Sequence, residues 1–185
     1  MPDSPRPAWP VAHAQAGHCQ LIAHILQLVG ATRYLELGAA GGETVRTILG
    51  WTSACYIVGV DLQPAPLVDL RYLHMQMSTD EFLTMTSDQP ESYDAVFIDA
   101  DHHYEQARSD LLGVLPLVEP HGLIFLHDTY PAEEKWVDQR YCGDVYRLAD
   151  ELRDQKRWPQ LEAMTLPYHP GLTIARNKRG RHLAW

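Results

Sequence analysis

The sequence has few cysteines, no long apolar run and no excess of positive charge. Its three cysteines, Cys19, Cys55 and Cys142, are far apart and lack the CxxC spacing of a zinc site. An odd number of widely spaced cysteines indicates reduced thiols rather than a disulfide framework, and therefore a cytoplasmic protein. The first ten residues hold four prolines and no apolar segment, which is unlike a secretory signal peptide.

Two further classes of partner are not expected from the composition. No apolar run is long enough to cross a bilayer, so no membrane association is predicted. A net charge of −9 argues against a nucleic-acid-binding surface, which needs a basic stripe, and the basic segment 176–181 is interpreted as a solvated terminus. With 185 residues, of which 45% are hydrophobic, the chain is expected to form a single domain over 1–185. The oligomeric state is left open, and a homo-oligomer is compatible with the sequence.

Short apolar runs alternate with helical patterns along most of the chain. The predicted strands are 33–37, 56–61, 72–75, 94–99, 123–126, 161–166 and 172–175. This alternation predicts a Rossmann-like, doubly wound α/β fold whose seven-stranded sheet is mostly parallel and ends in an antiparallel C-terminal hairpin.

Helical spacing of apolar residues predicts the main helices over 14–29, 104–118 and 144–156. A further short helix is expected after Ser78, which forms a capping-box pattern with Glu81. Pro120, His121 and Gly122 predict a turn before the fifth strand. Residues 1–12 are expected to be flexible, and the polar segment 129–143, which carries several aromatic residues, is a candidate lid.

A turn rich in small residues follows the first predicted strand, with the sequence Glu-Leu-Gly-Ala-Ala-Gly-Gly from Glu36 to Gly42. Glycines at this place let the backbone turn sharply and approach a ligand closely. Asp61 lies 19 residues after Gly42, at the end of the next strand, where a carboxylate can bind ribose hydroxyls. The combination predicts a cofactor that contains a nucleoside.

The type of cofactor is indicated by Glu36 and Ala40. Ala40 replaces the second glycine of a GxGxxG pattern, and the Gly-Lys-Ser/Thr ending of a phosphate loop is absent. A carboxylate at Glu36 would repel a pyrophosphate but suits a cationic ligand, which favours S-adenosylmethionine (SAM) over NAD. An NAD-dependent oxidoreductase on the same sheet is the main alternative, although the Tyr-x-x-x-Lys pair of short-chain dehydrogenases is absent.

Two apolar strands end in the same kind of side chains. Asp99 and His102 follow the fourth predicted strand, and His127 and Asp128 follow the fifth. In open α/β sheets ligands bind outside the carboxyl ends of the strands. We therefore expect the four side chains to lie together beside the cofactor.

These motifs resemble those of class I SAM-dependent methyltransferases. The resemblance is carried by Tyr-Leu-Glu-Leu-Gly at 34–38, Val-Gly-Val-Asp at 58–61, Phe-Ile-Asp-Ala-Asp-His at 97–102 and His-Asp-Thr at 127–129. The chain is most similar to the small-molecule O-methyltransferase branch that includes macrolide-sugar O-methyltransferases and cephalosporin-hydroxylase-like proteins. This resemblance implies a SAM-dependent O-methyltransferase that acts on a hydroxyl group of a small molecule.

The resemblance also implies roles for individual residues. The expected cofactor-binding residues are Glu36, Gly38, Ala40, Gly42, Asp61, Met77, Ser78 and Asp99. Asp99, His127 and Asp128 match the positions that hold a divalent cation, Mg²⁺ or Mn²⁺, in metal-dependent relatives. Asp99 and His102 are the expected catalytic residues, with His102 at the position of the general base, although the adjacent His103 could face the site instead.

The sequence departs from its relatives at two places. Relatives often have Gly-Asp-Ser after the third strand, where this chain has Gln76-Met77-Ser78. They also have an acidic pair or Asp-Asn where this chain has His127 and Asp128. Two further alternatives therefore stay open, namely a non-catalytic SAM- or metal-binding module and metal-dependent oxidation.

Overall fold

The computed structural model describes residues 17–53, 55–64, 66–87 and 92–178. Its strands are β1 Arg33–Leu37, β2 Tyr56–Asp61, β3 Tyr72–Gln76, β4 Tyr93–Ile98, β5 Val118–His127, β6 Leu161–Leu166 and β7 Leu172–Asn177. They form one seven-stranded sheet in the order β3-β2-β1-β4-β5-β7-β6. The first five strands are parallel to one another, whereas β7 is antiparallel to both β5 and β6. The predicted fold class is confirmed.

Within the described residues, five α-helices cover the two faces of the sheet, α1 Gly17–Val29, α2 Glu43–Trp51, α3 Thr79–Thr86, α4 Tyr104–Val114 and α5 Tyr146–Leu152. One apolar cluster packs α1 and α2 against one face, with Ile22 and Ile48 among its fully buried residues. A second cluster packs the other three helices against the opposite face, with Phe82, Leu111 and Leu148 at its centre. Because both faces are covered, the central strands β1 and β4 are buried along almost their whole length.

The boundary predicted between α4 and β5 differs from the one observed. The helix predicted over 104–118 ends at Val114, and a 3-10 turn over Leu115–Leu117 leads directly into β5. Pro116 explains the end of the helix, because proline has no backbone N–H to continue it.

The turn predicted at Pro120, His121 and Gly122 is instead an irregular part of β5. The register of β5 against β4 shifts here, since Tyr93 pairs with Val118 while Ala95 pairs with Leu123. The extra residues leave the ladder as a bulge, with His121 in the left-handed region at φ 67°.

Other helix boundaries agree more closely with expectation. The capping box that begins α3 is present, because Ser78 Oγ accepts the Glu81 N–H at 3.2 Å and Glu81 Oε2 accepts the Ser78 N–H at 2.9 Å. The helix expected over 144–156 is shorter, and α5 ends at Leu152. Residues 1–12, expected to be flexible, and the first residues of the helix predicted from 14 lie outside the described part of the chain.

None of the described helices is both long enough and apolar enough to cross a membrane. The segment 129–143 has no α-helix or strand and contains one 3-10 turn, Glu134–Val137. A single domain over 1–185 and a lid at 129–143 stay predictions.

The two central strands are also tied together at their starting ends by one carboxylate. Asp94 Oδ2 accepts hydrogen bonds from the Thr32 N–H at 2.7 Å, from the Thr32 hydroxyl at 3.0 Å and from the Arg33 N–H at 3.0 Å. One side chain of β4 therefore satisfies the backbone that leads into β1, next to the ladder that joins the two strands.

The substitution Asp94→Ala should lower the free energy of unfolding by about 1–2 kcal/mol, because it removes a charged acceptor from three donors. The measurement is equilibrium unfolding in urea. Asp150→Ala is the control, since Asp150 makes only an exposed ion pair with Arg153 at 3.3 Å and should cost less than about 0.5 kcal/mol. Equal effects of the two substitutions would contradict this role of Asp94.

Candidate active site

Gly38 lets the loop after β1 pass close to the loop after β4. The N–H of Gly38 donates to the Val60 carbonyl at 2.8 Å, and its φ is +92°. A Cβ at this position would lie 2.2 Å from the backbone oxygen of Asp99. A glycine is required here both by its conformation and by the close approach of the chain.

Asp61 at the end of β2 is oriented by the backbone of the same turn. Its Oδ2 accepts the Ala40 N–H at 2.7 Å, and its Oδ1 accepts the Gln63 N–H at 2.7 Å. Ala40 itself adopts a positive φ of 34°. These two hydrogen bonds hold the carboxylate in one orientation.

A pocket of about 250 Å³ opens at the ends of β2, β3 and β4. Four of the predicted cofactor residues line it, namely Gly38, Asp61, Met77 and Ser78. The remaining lining residues are Val60, Leu62, Thr79, Asp80, Ala100, Asp101 and Gln106. Thr79 and Asp80 directly follow Met77 and Ser78 in the chain, so the start of α3 was a signal that could have identified them.

The other four predicted cofactor residues, Glu36, Ala40, Gly42 and Asp99, do not line this pocket. Glu36 is 2% exposed, and its Oε2 accepts a hydrogen bond from the Tyr34 hydroxyl at 3.0 Å. Burial raises the pKa of Glu36 well above its usual range; the Tyr34 hydrogen bond opposes this shift, and the negative charges of Asp99 and Asp61 reinforce it. The backbone N–H of Ala40 instead donates a hydrogen bond to Asp61. Contacts of these residues with a cofactor stay predictions.

Gly42, the third of these residues, has an evident structural role. It precedes α2 with φ 72°, and a Cβ there would lie 2.6 Å from Cγ of Pro66. This glycine therefore lets the segment around Pro66 pack against the start of the helix, next to the turn that holds Asp61.

The four side chains at the ends of β4 and β5 lie together, because these strands are parallel neighbours. Asp99 Oδ1 lies 3.0 Å from His127 Nδ1, which is also 3.4 Å from Asp128 Oδ2. His102 Nε2 lies 3.2 Å from the same Asp128 oxygen. Two carboxylates and two imidazoles thus form one connected cluster.

The cluster contains a set of ligand atoms suited to a divalent cation. One ligand atom each from Asp99, His102 and Asp128 lie within 4.8 Å of one another. Carboxylate oxygens suit Mg²⁺, and an added imidazole shifts the preference toward Mn²⁺. The imidazole in this set is His102 rather than the predicted His127, whose Nδ1 already lies within hydrogen-bonding distance of both carboxylates.

His127 and Asp128 form an ion pair next to these ligand atoms. Burial lowers the pKa of His127, but the charges and hydrogen bonds of Asp99 and Asp128 outweigh this effect and raise it to about 10. Burial also favours the neutral carboxyl of Asp128, yet the hydrogen bond and charge of His127 lower its pKa.

Of the two adjacent histidines, His102 faces the cluster and His103 does not. The His102 ring lies between Asp128 and the Gln139 carbonyl, which is 3.3 Å from Nδ1. The His103 side chain is 59% exposed, and its Nδ1 lies beside Asp101 Oδ1. The sequence left open which of the two histidines faces the site. The start of α4 decides this, because the two rings point in different directions there.

The end of the candidate lid is attached to His102. The Asp144 N–H donates to the His102 carbonyl at 3.0 Å, and Asp144 Oδ1 accepts the Tyr104 N–H at 2.6 Å. A Cβ at Gly143, where φ is +55°, would lie 1.8 Å from the His102 carbonyl oxygen. The end of this segment is therefore packed directly against the backbone of His102.

Sequence reasoning missed two buried residues beside the cluster. Cys142 hydrogen-bonds Asp128, and burial raises the pKa of its thiol well above the usual value. The His18 ring lies 4.2 Å from the His127 ring, and burial, followed by the charge of His127, lowers its pKa to about 4. His18 precedes Ile22 by four residues and so shares its buried helix face, a signal that could have separated it from an ordinary surface histidine.

Residues 35–129 match a family model described as a methyltransferase domain. The chain belongs to this methyltransferase family. The match covers the glycine turn, Asp61 and both strand ends of the cluster. The resemblance to class I methyltransferases is thereby confirmed, and an NAD-dependent oxidoreductase is not supported.

Solved structures of other methyltransferases have a similar fold. An O-methyltransferase from Bacillus cereus in complex with SAH is 20% identical, with a TM-score of 0.65 over 93% of this chain and 84% of its own. Cofactor-bound Rv0187 from MTB is also 20% identical, with a TM-score of 0.71 over 95% and 84% of the two chains. No curated protein sequence matches this chain.

A third structure is the MycE methyltransferase of the mycinamycin biosynthetic pathway, in complex with Mg and SAH. It is 24% identical, with a TM-score of 0.63 over 83% of this chain, which spans about half (48%) of the MycE chain. At these identities the likeness of the three structures establishes the fold.

Gly38→Ala should lower the free energy of unfolding by about 2 kcal/mol or more, because it strains the backbone and forces the loops of Gly38 and Asp99 apart. Gly41→Ala in the same turn is the matched control, since a Cβ there meets nothing within 4 Å. It should change stability by less than about 1 kcal/mol. Urea unfolding of both variants tests this difference. Similar losses of stability in the two variants would show that the close contact at Gly38 does not require a glycine.

Proposed function

We propose that this methyltransferase transfers the methyl group of SAM to a hydroxyl group of a small molecule, assisted by a divalent cation. One observation carries the proposal. The loop after β4 contributes Ala100 and Asp101 to the 250 Å³ pocket and Asp99 and His102 to the cluster. A cofactor in the pocket and an acceptor at the cluster would therefore meet across a single four-residue loop.

The pocket has the chemical features that an adenosyl group needs. The carboxylate of Asp61 accepts hydrogen bonds, as ribose hydroxyls require, and its orientation is fixed by the Ala40 and Gln63 amides. Met77 offers an apolar surface beside the pocket, and Asp80 carries a carboxylate. The SAH and the cofactor bound in the similar structures agree with this assignment.

The cluster has the donor set that a divalent cation needs. Asp99 and Asp128 would hold the ion through carboxylate oxygens, with the imidazole of His102 beside it. A bound cation would lower the pKa of the acceptor hydroxyl and fix its direction. The Mg in the MycE structure supports this part of the proposal.

His102 is the proposed general base. SAM is already an activated methyl donor, so the protein must align an oxygen nucleophile and remove its proton. The half-buried ring of His102 is held between the Gln139 carbonyl and Asp128, at the edge of the cluster. An imidazole in that position can accept the proton of the acceptor hydroxyl.

The segment 129–143 is proposed to cover the acceptor. Trp136 packs against Tyr141 with ring centroids 5.0 Å apart, and against His169 at 4.6 Å. The segment is attached to His102 at one end, so closure over an acceptor would also position the base. A cytoplasmic location, the absence of a nucleic-acid partner and the oligomeric state stay predictions.

The test of the proposed function is methyl transfer from radiolabelled SAM to a panel of hydroxyl compounds. We expect labelled product with Mg²⁺ or Mn²⁺, and loss of most of that activity in EDTA. SAM binding without transfer to any hydroxyl compound would instead support a non-catalytic module. Oxygen consumption with Fe²⁺ would support metal-dependent oxidation.

His102→Asn should lower kcat by about 100-fold or more, because the general base is lost. Its Mn²⁺ affinity, measured by calorimetry, should stay within about threefold of the wild type, a change worth less than 1 kcal/mol. His103→Asn, one residue away and exposed, is the control and should retain activity. Loss of Mn²⁺ binding in His102→Asn would make His102 a metal ligand rather than the base.

Asp61→Asn should weaken SAH binding by about tenfold or more, since a charged acceptor of ribose hydroxyls becomes a neutral amide. Isothermal titration calorimetry measures the affinity directly. Asp69→Asn is the control, because Asp69 pairs with Arg71 away from the pocket. Unchanged SAH affinity in Asp61→Asn would remove the ribose role of Asp61.

A further inference from the structure

The N-terminus of α4 is capped by a residue that follows the candidate lid. The first backbone N–H groups of an α-helix have no partner within the helix and need an acceptor from elsewhere. In the described part of the chain, the side chain of the N-cap residue His103 does not cap the helix. Asp144, 40 residues after Tyr104, supplies an acceptor, because its Oδ1 accepts the Tyr104 N–H at 2.6 Å. A tertiary contact therefore satisfies the start of this helix.

The carboxylate of Asp144 is itself held in one orientation. Arg147 Nη1 donates to its Oδ2 at 2.8 Å, and the Arg147 guanidinium lies 4.4 Å from the centroid of the Tyr104 ring. Burial favours the neutral carboxyl of Asp144, but the hydrogen bond from Tyr104 and the contact with Arg147 outweigh this effect and lower its pKa. Asp144 is therefore negatively charged at neutral pH, which is favourable at the N-terminus of a helix.

Asp144 contacts the backbone on both sides of His103. Its N–H donates to the His102 carbonyl at 3.0 Å, and its carboxylate accepts the Tyr104 N–H. These two groups belong to the two peptide units that flank His103. One residue therefore holds the stretch of backbone that carries the His102 side chain into the site.

The ring of His102 is held by the same segment. The Gln139 carbonyl lies 3.3 Å from His102 Nδ1, while His102 Nε2 lies 3.2 Å from Asp128 Oδ2. Residues 139–144 thus contact both the ring and the backbone of His102. A general base must lie within hydrogen-bonding distance of the proton that it removes, and a displacement of about 1 Å can cost up to about 100-fold in rate.

We propose that Asp144 is a positioning residue for methyl transfer. By holding the two peptide units that flank His103, it keeps the His102 ring beside Asp128. The base is then correctly placed only while the end of the candidate lid is docked on the start of α4. The inference rests on the proposed function, and it adds a means by which the position of the segment 129–143 regulates the base.

Asp144→Ala should lower kcat by about tenfold or more, because the base loses its position, while SAH affinity stays within about threefold. Methyl transfer from radiolabelled SAM and calorimetry measure the two quantities, at a temperature where the variant is folded. Asp94→Ala is the matched control, since it also removes a carboxylate from the backbone of a distant segment, but at the starting ends of the strands. It should lose stability and keep its kcat. Unchanged kcat in Asp144→Ala, or an equal loss in both variants, overturns the proposal.

The position of the ring can be followed without turnover, through the imidazole ¹⁵N signals of His102 in NMR. We expect these signals to shift in Asp144→Ala, because the ring moves relative to the Gln139 carbonyl and Asp128, and to stay in place in Asp94→Ala. A merely structural role of Asp144 would lower the melting temperature and leave the His102 signals where they are in the wild type. That result overturns the proposal.

Asp144→Asn and Asp144→Glu separate the position of the acceptor oxygen from its charge, and each keeps a polar side chain at this place if Asp144→Ala does not fold. Asn keeps the length and one acceptor oxygen, so kcat should stay within about threefold of the wild type. Glu keeps the charge but displaces the oxygen by one methylene group, so kcat should fall by about tenfold. The reverse order would assign Asp144 to its ion pair with Arg147 and overturn the positioning role.

The same samples separate this inference from the proposed function. A wild-type protein that binds SAH but transfers no methyl group to any hydroxyl compound overturns the proposed function, and the inference that rests on it falls as well. Equal methyl transfer by the wild type and Asp144→Ala, with unshifted His102 signals, overturns the positioning role alone.

Discussion

The parallel pairing of β4 with β5 is the constraint on which the candidate site depends. In register, Ile98 lies opposite Leu126, so the next residues, Asp99 and His127, emerge side by side at the same edge of the sheet. An antiparallel pairing would have placed them at opposite edges. The contact of 3.0 Å between the Asp99 carboxylate and the His127 ring follows from this register, and the pairs with Asp128 and His102 are built on it.

Close backbone packing brings the cofactor pocket and the cluster together. Gly38 allows the loop after β1 to touch the backbone of Asp99, and Asp61 is bound to the same loop through the Ala40 amide. The loop after β4 contributes to both sites, because Ala100 and Asp101 line the pocket while Asp99 and His102 belong to the cluster. A methyl donor and an acceptor need such a short separation, because methyl transfer requires the two reacting atoms to be aligned in contact.

The fold and much of the site could be predicted from the sequence because the signals are local. Apolar runs that end in Asp99, in His127 and in Asp61 predicted both the strands and their functional ends, and the Ser78 capping box predicted the start of α3. Predictions failed where a local pattern had two structural outcomes. Pro120 and Gly122 predicted a turn, yet the β4–β5 ladder continues past them through a bulge. The sequence likewise could not distinguish His102 from His103, because the directions of their rings are set by the start of α4.

The sequence by itself determined the alternation of strands and helices, the glycine turn with its partner Asp61, and the family to which the chain belongs. Only the tertiary structure decided that His102 rather than His103 faces Asp128, that His127 is held by two carboxylates, and that His18 packs against its ring. The reason is physical. Strand and turn patterns are encoded by neighbours in the chain, whereas these contacts join residues from separate elements and exist only once the sheet and its helices have packed.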